Sequence, residues 1–85
     1  MSQEFQTVLK TNVGWEKRKE AIDRLAGKGE RRTLSLLVQT GGLDGEFRRQ
    51  ALEALSKTNA SEQLGSLADD RSVPESLRRR AAEVA

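Results

Sequence analysis

Apolar residues recur along this chain as short triplets at positions i, i+3 and i+4. Leu34, Leu37 and Val38 form one, Leu64, Leu67 and Ala68 a second, and Phe5, Val8 and Leu9 a third, shifted by one residue. Such spacing lines three side chains along one stripe of an α-helix. Between the triplets lie "KRKEAIDRL" at 17–25, "FRRQALEAL" at 47–55 and "LRRRAAEVA" at 77–85, each beginning thirty residues after the one before. At that period Arg18, Arg48 and Arg78 coincide, as do Ala21, Ala51 and Ala81, and an acidic column at Asp23, Glu53 and Glu83. Ile22, Leu52 and Ala82 align as well, and so do Leu25, Leu55 and Ala85. A small apolar residue, Val13, Leu43 or Val73, precedes each arginine-bearing stretch.

Punctuation divides the pattern into helices. Gly27 and Gly29 separate one segment from the next, and Gly41, Gly42 and Asp44 another pair. Asn59 followed three residues later by Glu62 reads as a capping box, and Pro74 suits the first turn of a helix. Glu20–Arg24 and Glu75–Arg79 are i, i+4 pairs in the favourable order. β-Branched residues never alternate with polar ones, so no strand is predicted. The expected helices span about 3–11, 15–26, 30–40, 45–57, 60–69 and 74–85 of a single domain, 1–85. Paired helices repeating every thirty residues predict an all-α fold, an α-solenoid of antiparallel pairs with about two and a half repeats.

Composition narrows the chemistry. Cysteine and histidine are absent, which excludes disulfides and thiolate or imidazole metal sites and removes the commonest general base. Tyrosine is absent too, so nucleophile–base pairs of the usual kind cannot be built. No enzyme activity, cofactor or metal is expected; the adjacent Asp69 and Asp70 are better explained by helix starts and arginine pairing. Leu, Ile, Val and Phe total 19 of 85 residues, enough for order but only for a light core. The net charge of +2 gives a weak overall field, and no apolar run approaches the ~18 residues of a membrane span. Without a basic stretch followed by an apolar one at the N-terminus, no signal peptide and no membrane partner are expected, and a cytoplasmic location follows by default.

The stretch "DGEFRRQALEAL" resembles the HEAT-like repeat of the phycobilisome lyase type. The second unit carries the pattern at Asp44, Phe47, Arg48, Ala51, Ala54 and Leu55, and the third at Asp69 or Asp70, Leu77, Arg78 and Ala81. The first carries Arg18, Ala21 and Leu25, but has Lys17 at the apolar position and no preceding aspartate. The resemblance covers nearly the whole chain. It implies a stacked helical fold and, for some members, association with bilin-bearing proteins; it specifies no single function.

Within that frame the arginine column Arg18, Arg48 and Arg78 predicts a structural ladder, its guanidinium groups alternating with Asp44 and Asp70 through forked hydrogen bonds. Trp15 is expected to lie over the gap between the first two helices. The stripes at either end, Phe5, Val8 and Leu9 at the front and Leu77, Ala81 and Val84 at the back, lack a partner helix; either these ends are weak enough to tolerate, the last being alanine-rich, or they are buried against another molecule, as in a homodimer through the open ends. The favoured function is contact with a protein partner through Arg32, Leu36, Gln39, Gln63 and Ser66, which lie off the apolar stripes of 30–40 and 60–69. The alternative is nucleic-acid binding along a basic face, Lys19, Arg49 and Arg79, one residue per repeat.

Overall fold

The computed structural model describes residues 2–85 and, among them, holds six helices and no strand. They are α1 (Gln3–Leu9), α2 (Trp15–Gly27), α3 (Arg31–Gln39), α4 (Gly45–Ser56), α5 (Ser61–Ala68) and α6 (Glu75–Val84). α1 packs most closely on α2, α3 on α4 and α5 on α6. α4 also meets both α2 and α6, and α3 meets α5, so α2, α4 and α6 form one row of a body measuring 31 × 24 × 19 Å. No helix is long and apolar enough to cross a membrane.

The thirty-residue period reappears in the backbone. Gly14, Asp44 and Pro74 each occupy the N-cap of the next helix in the same extended conformation, φ/ψ −60/150°, −54/139° and −54/145°. Their carbonyls accept from the amides of Arg18, Arg48 and Arg78, and the preceding turns close alike, Val13 N–H to Lys10, Leu43 to Thr40 and Val73 to Asp70. Pro74 therefore stands at the N-cap and not inside the first turn, because its locked φ matches the angle its two counterparts adopt freely.

Asn59 does not cap α5. It takes a left-handed backbone with φ +56°, one period after Gly29 at φ +67°, and Ala60 occupies the N-cap position without a side-chain bond. At Gly29 the chain reverses through a Schellman closure, Glu30 N–H to Leu25 and Gly29 N–H to Ala26. Asparagine tolerates the same reversal conformation, so this position ends a helix and does not begin one. Only α1 has a side-chain cap, Ser2 Oγ accepting from Phe5 N–H at 3.2 Å.

The repeated columns fill the interior. Ala21, Ala51 and Ala81 are buried, with Ile22, Leu25, Leu52 and Leu55 fully buried. From the triplets, Val8, Leu34, Leu37, Val38, Leu64 and Leu67 face inward, and Phe47 is the largest fully buried side chain. At the two ends, Val8, Leu77 and Ala81 are buried, while Phe5, Leu9 and Val84 pack half-buried against the core.

Candidate functional site

The arginine column works through the backbone. Arg18 Nε donates to the Val8 carbonyl at 2.8 Å, and Arg48 Nε to the Val38 carbonyl at the same distance. Each guanidinium crosses from the first turn of one helix to the last turn of the helix before it, where carbonyls lack intrahelical partners and a cation suits the helix dipole. The expected carboxylate alternation is therefore corrected: among the described residues no ladder arginine has a carboxylate within salt-bridge distance. Asp44 makes no side-chain cap bond. Asp70 accepts instead from Ser72 N–H and Oγ–H at 2.9 and 2.7 Å and from Gln39 Nε2 at 3.0 Å. Those bonds, Ser72's hydroxyl first, hold its carboxyl below the usual aspartate range. Arg78 departs from its counterparts, its buried Nε having no hydrogen-bond partner.

Other polar contacts repeat too. Gln50 Nε2 reaches Asp23 Oδ1 at 3.2 Å, and one period on, Arg80 grips Glu53 through Nε and Nη2 at 2.7 and 2.9 Å. The fork lowers the Glu53 carboxyl and raises the Arg80 guanidinium. The acidic column was visible in the sequence; its partners, twenty-seven residues downstream, were not. Glu75–Arg79 forms its ion pair at 2.7 Å, whereas Glu20–Arg24 is not paired.

Trp15 makes a contact across the helix row. Its ring packs on Phe47 of α4, centroids 4.3 Å apart and planes tilted by 36°, and it remains 42% exposed. The Arg18 guanidinium sits 4.4 Å from the centre of the same Phe47 ring. Trp15 thus bridges α2 to α4, and it also lines a cleft with Asn12, Val13 and Gly14 of the turn that joins α1 to α2; nothing in the spacing of residues 15 and 47 signals the pairing with Phe47.

Beside it opens a cleft of about 330 Å³ lined by Trp15, Lys19, Glu46, Phe47, Arg49 and Gln50. A second cleft of about 210 Å³ lies between α4 and α6, lined by Gly45, Arg48, Arg49, Pro74, Ser76 and Leu77. Shifted by thirty residues, Trp15 maps to Gly45, Lys19 to Arg49 and Phe47 to Leu77, so the two are equivalent grooves with different linings. The structure brings Lys19 and Arg49 together and leaves Arg79 outside both grooves, on Glu75.

The surface of α3 and α5 is assembled in part. Arg32 and Gln63 line a shallow cleft of about 440 Å³ with Glu30, Arg31 and Thr33. Arg31 Nε is fixed on the Thr58 carbonyl at 2.7 Å. Leu36 is 40% exposed although Leu34, Leu37 and Val38 beside it are fully buried. Ser66 is exposed outside that cleft, and Gln39 is engaged with Asp70. No group of three or more acidic side chains among the described residues is placed to hold a metal ion. No family model, no curated protein and no solved structure matches the chain.

Proposed function

We propose that this chain is a non-enzymatic protein-interaction scaffold, a short α-solenoid of HEAT-like antiparallel helix pairs that presents its helix faces to a protein partner. The recurring N-cap conformation and the two arginine-to-carbonyl bonds support the stacked-pair architecture, since each repeats a local geometry at a thirty-residue interval. Catalysis is set aside because histidine, cysteine and tyrosine are missing from the chain.

The observation that carries the interaction reading is Leu36. Its triplet neighbours already fill the interior, so a leucine 40% exposed on α3 adds nothing to the core. It shares that helix with Arg32, which lines a cleft with Gln63 of α5. One exposed leucine is ordinary; one set a turn away from a polar cleft shared by α3 and α5 has the makings of a contact surface. Photo-crosslinking residues placed at positions 36 and 66, with the exposed position 83 on α6 as control, test it in cells that express the chain. Partner adducts of one defined mass from 36 and 66 but not from 83 support the reading; equal labelling from all three contradicts it. Self-association through α1 and α6, where Phe5, Leu9 and Val84 are half-buried, would register as adducts of twice the chain mass from position 83.

The competing reading is nucleic-acid binding, favoured by Lys19 and Arg49 sharing a cleft with an exposed tryptophan. Salt-sensitive retention on an oligonucleotide column, lost in Lys19→Glu/Arg49→Glu, would support it; no retention at low salt would end it.

A further inference from the structure

We infer that the groove between α2 and α4 receives an extended acidic segment of a partner protein, its carboxylates met by Lys19 and Arg49 and its flank laid on Trp15. This rests on the protein-interaction reading and supplies a second contact face with a stated chemistry.

Three observations carry it. Trp15 is exposed yet supported: its ring rests on Phe47, which is fully buried and also touches the Arg18 guanidinium. The positions equivalent to Trp15 in the other repeats are Gly45 and Glu75, so packing of the repeat does not call for an aromatic there. A large, pre-positioned aromatic face at the mouth of a cleft is the kind of anchor that interfaces use.

Charge supplies the second. Lys19 and Arg49 line the same cleft, and among the described residues neither has a carboxylate within salt-bridge distance. Glu46, the one acid in the lining, makes no ion pair with them. Arg49 also lines the neighbouring groove, which contains no acidic residue, so the path continues from α2 across α4 towards α6.

Spacing is the third. Packed helices stand about 8–10 Å apart, which sets the step from Lys19 on α2 to Arg49 on α4. A polyproline II segment brings every third side chain to the same side at intervals of about 9 Å. Carboxylates three residues apart on such a segment match the step between the two cations. A phosphodiester backbone, charged at every residue, fits less well: Glu75 already occupies Arg79, so the row of cations without an ion pair ends after two.

The single tryptophan, with no tyrosine in the chain, gives a local readout. Trp15 emission is titrated with a blocked peptide in which glutamates are separated by pairs of prolines. Controls are the same peptide with glutamine for glutamate, an oligothymidylate, and the acidic peptide at raised salt. The inference expects saturable change with the acidic peptide, weakening with salt, and little change with the glutamine peptide. Lys19→Glu and Arg49→Glu should each weaken binding by about fivefold or more, as expected for reversing an exposed charge contact. Leu36→Ser, on the other helix row, should leave the titration unaltered. Unchanged far-UV circular dichroism confirms that the variants fold; if a reversal unfolds the chain, Lys19→Gln and Arg49→Gln replace it. An emission change equal for both peptides, no change at all, or tighter binding of the oligothymidylate than of the acidic peptide overturns the inference. Position-specific crosslinks from residue 36 alongside a silent peptide titration would sink the groove alone; loss of both would sink the interaction reading with it.

Discussion

Arg18 and Arg48 stand thirty residues apart and make the same 2.8 Å bond to a backbone carbonyl, yet their guanidinium tips meet different surroundings. Arg18 lies over the Phe47 ring. Arg48 shares a cleft with Leu77, the residue equivalent to Phe47, and its buried Nη2 has no hydrogen-bond partner. The period thus places the arginine, and Arg18 and Arg48 use it to tie consecutive helices while Arg78 does not; the neighbour one repeat further on decides what the rest of the side chain gains. Where that neighbour is aromatic, the groove also acquires the exposed Trp15. The first groove carries chemistry that stacking alone does not require, and the second is closer to bare packing.

The contrast can be broken most forcefully at the aromatic. Phe47→Ala should cost about 3–5 kcal/mol in urea unfolding, a large share of what a domain of this size possesses. Leu77→Ala, at the edge of the core where the chain relaxes more easily, should cost less than about 3 kcal/mol. Equal losses would mean that the two grooves are energetically alike.

The arginines come next. Arg18→Met should destabilise by about 2–3 kcal/mol, losing a charged hydrogen bond and the contact with the ring. Arg48→Met loses the same bond but also removes an unpartnered buried N–H, so about 1 kcal/mol is expected. A reversed order would contradict the account. The converse change sharpens it further: Leu77→Phe offers Arg48 a ring in a groove of about 210 Å³ and should raise stability by about 0.5–1 kcal/mol. A loss there would mean that the groove cannot take the ring.

How much of this was legible in the sequence depends on the range of the interaction. The helices follow from local signals, the triplet spacing and the glycines, and each observed helix lies inside its expected span except α2, which runs one residue further. The arginine column was visible as a column, but its acceptor was not. A backbone carbonyl has no letter in the sequence, so Asp44 and Asp70 stood in as partners because carboxylates are readable. Asn59 was misread for a related reason, since one residue type serves both caps and left-handed turns. Trp15 meeting Phe47 is a pairing between repeats at no shared column. Of the candidate surface residues, Lys19 with Arg49 and Arg32 with Gln63 come together, while Gln39 and Arg79 are occupied by neighbours that sequence spacing did not single out.

The smallest predicted effect is a pH dependence. Arg80 holds the Glu53 carboxyl below its ordinary value of 4.5. Because the folded value is the lower one, the pair's contribution is present above pH 4.5 and is lost as pH falls through the folded value. Thermal melts of the parent should lose stability over that acidic window, and Glu53→Gln should flatten part of the slope. Identical slopes for the two proteins would show that the fork adds nothing. Both side chains are more than a third exposed, so the effect is modest.

The central claim, that the arginines of the first two repeats tie consecutive helices through a backbone carbonyl, is tested most directly by hydrogen exchange at the arginine Nε–H groups, followed by nuclear magnetic resonance. The account predicts that the Nε–H protons of Arg18 and Arg48 exchange far more slowly than those of the exposed Arg24, Arg32 and Arg49, and that each shows through-space proximity to the Val8 or Val38 backbone. Exchange of all five at similar rates would contradict it.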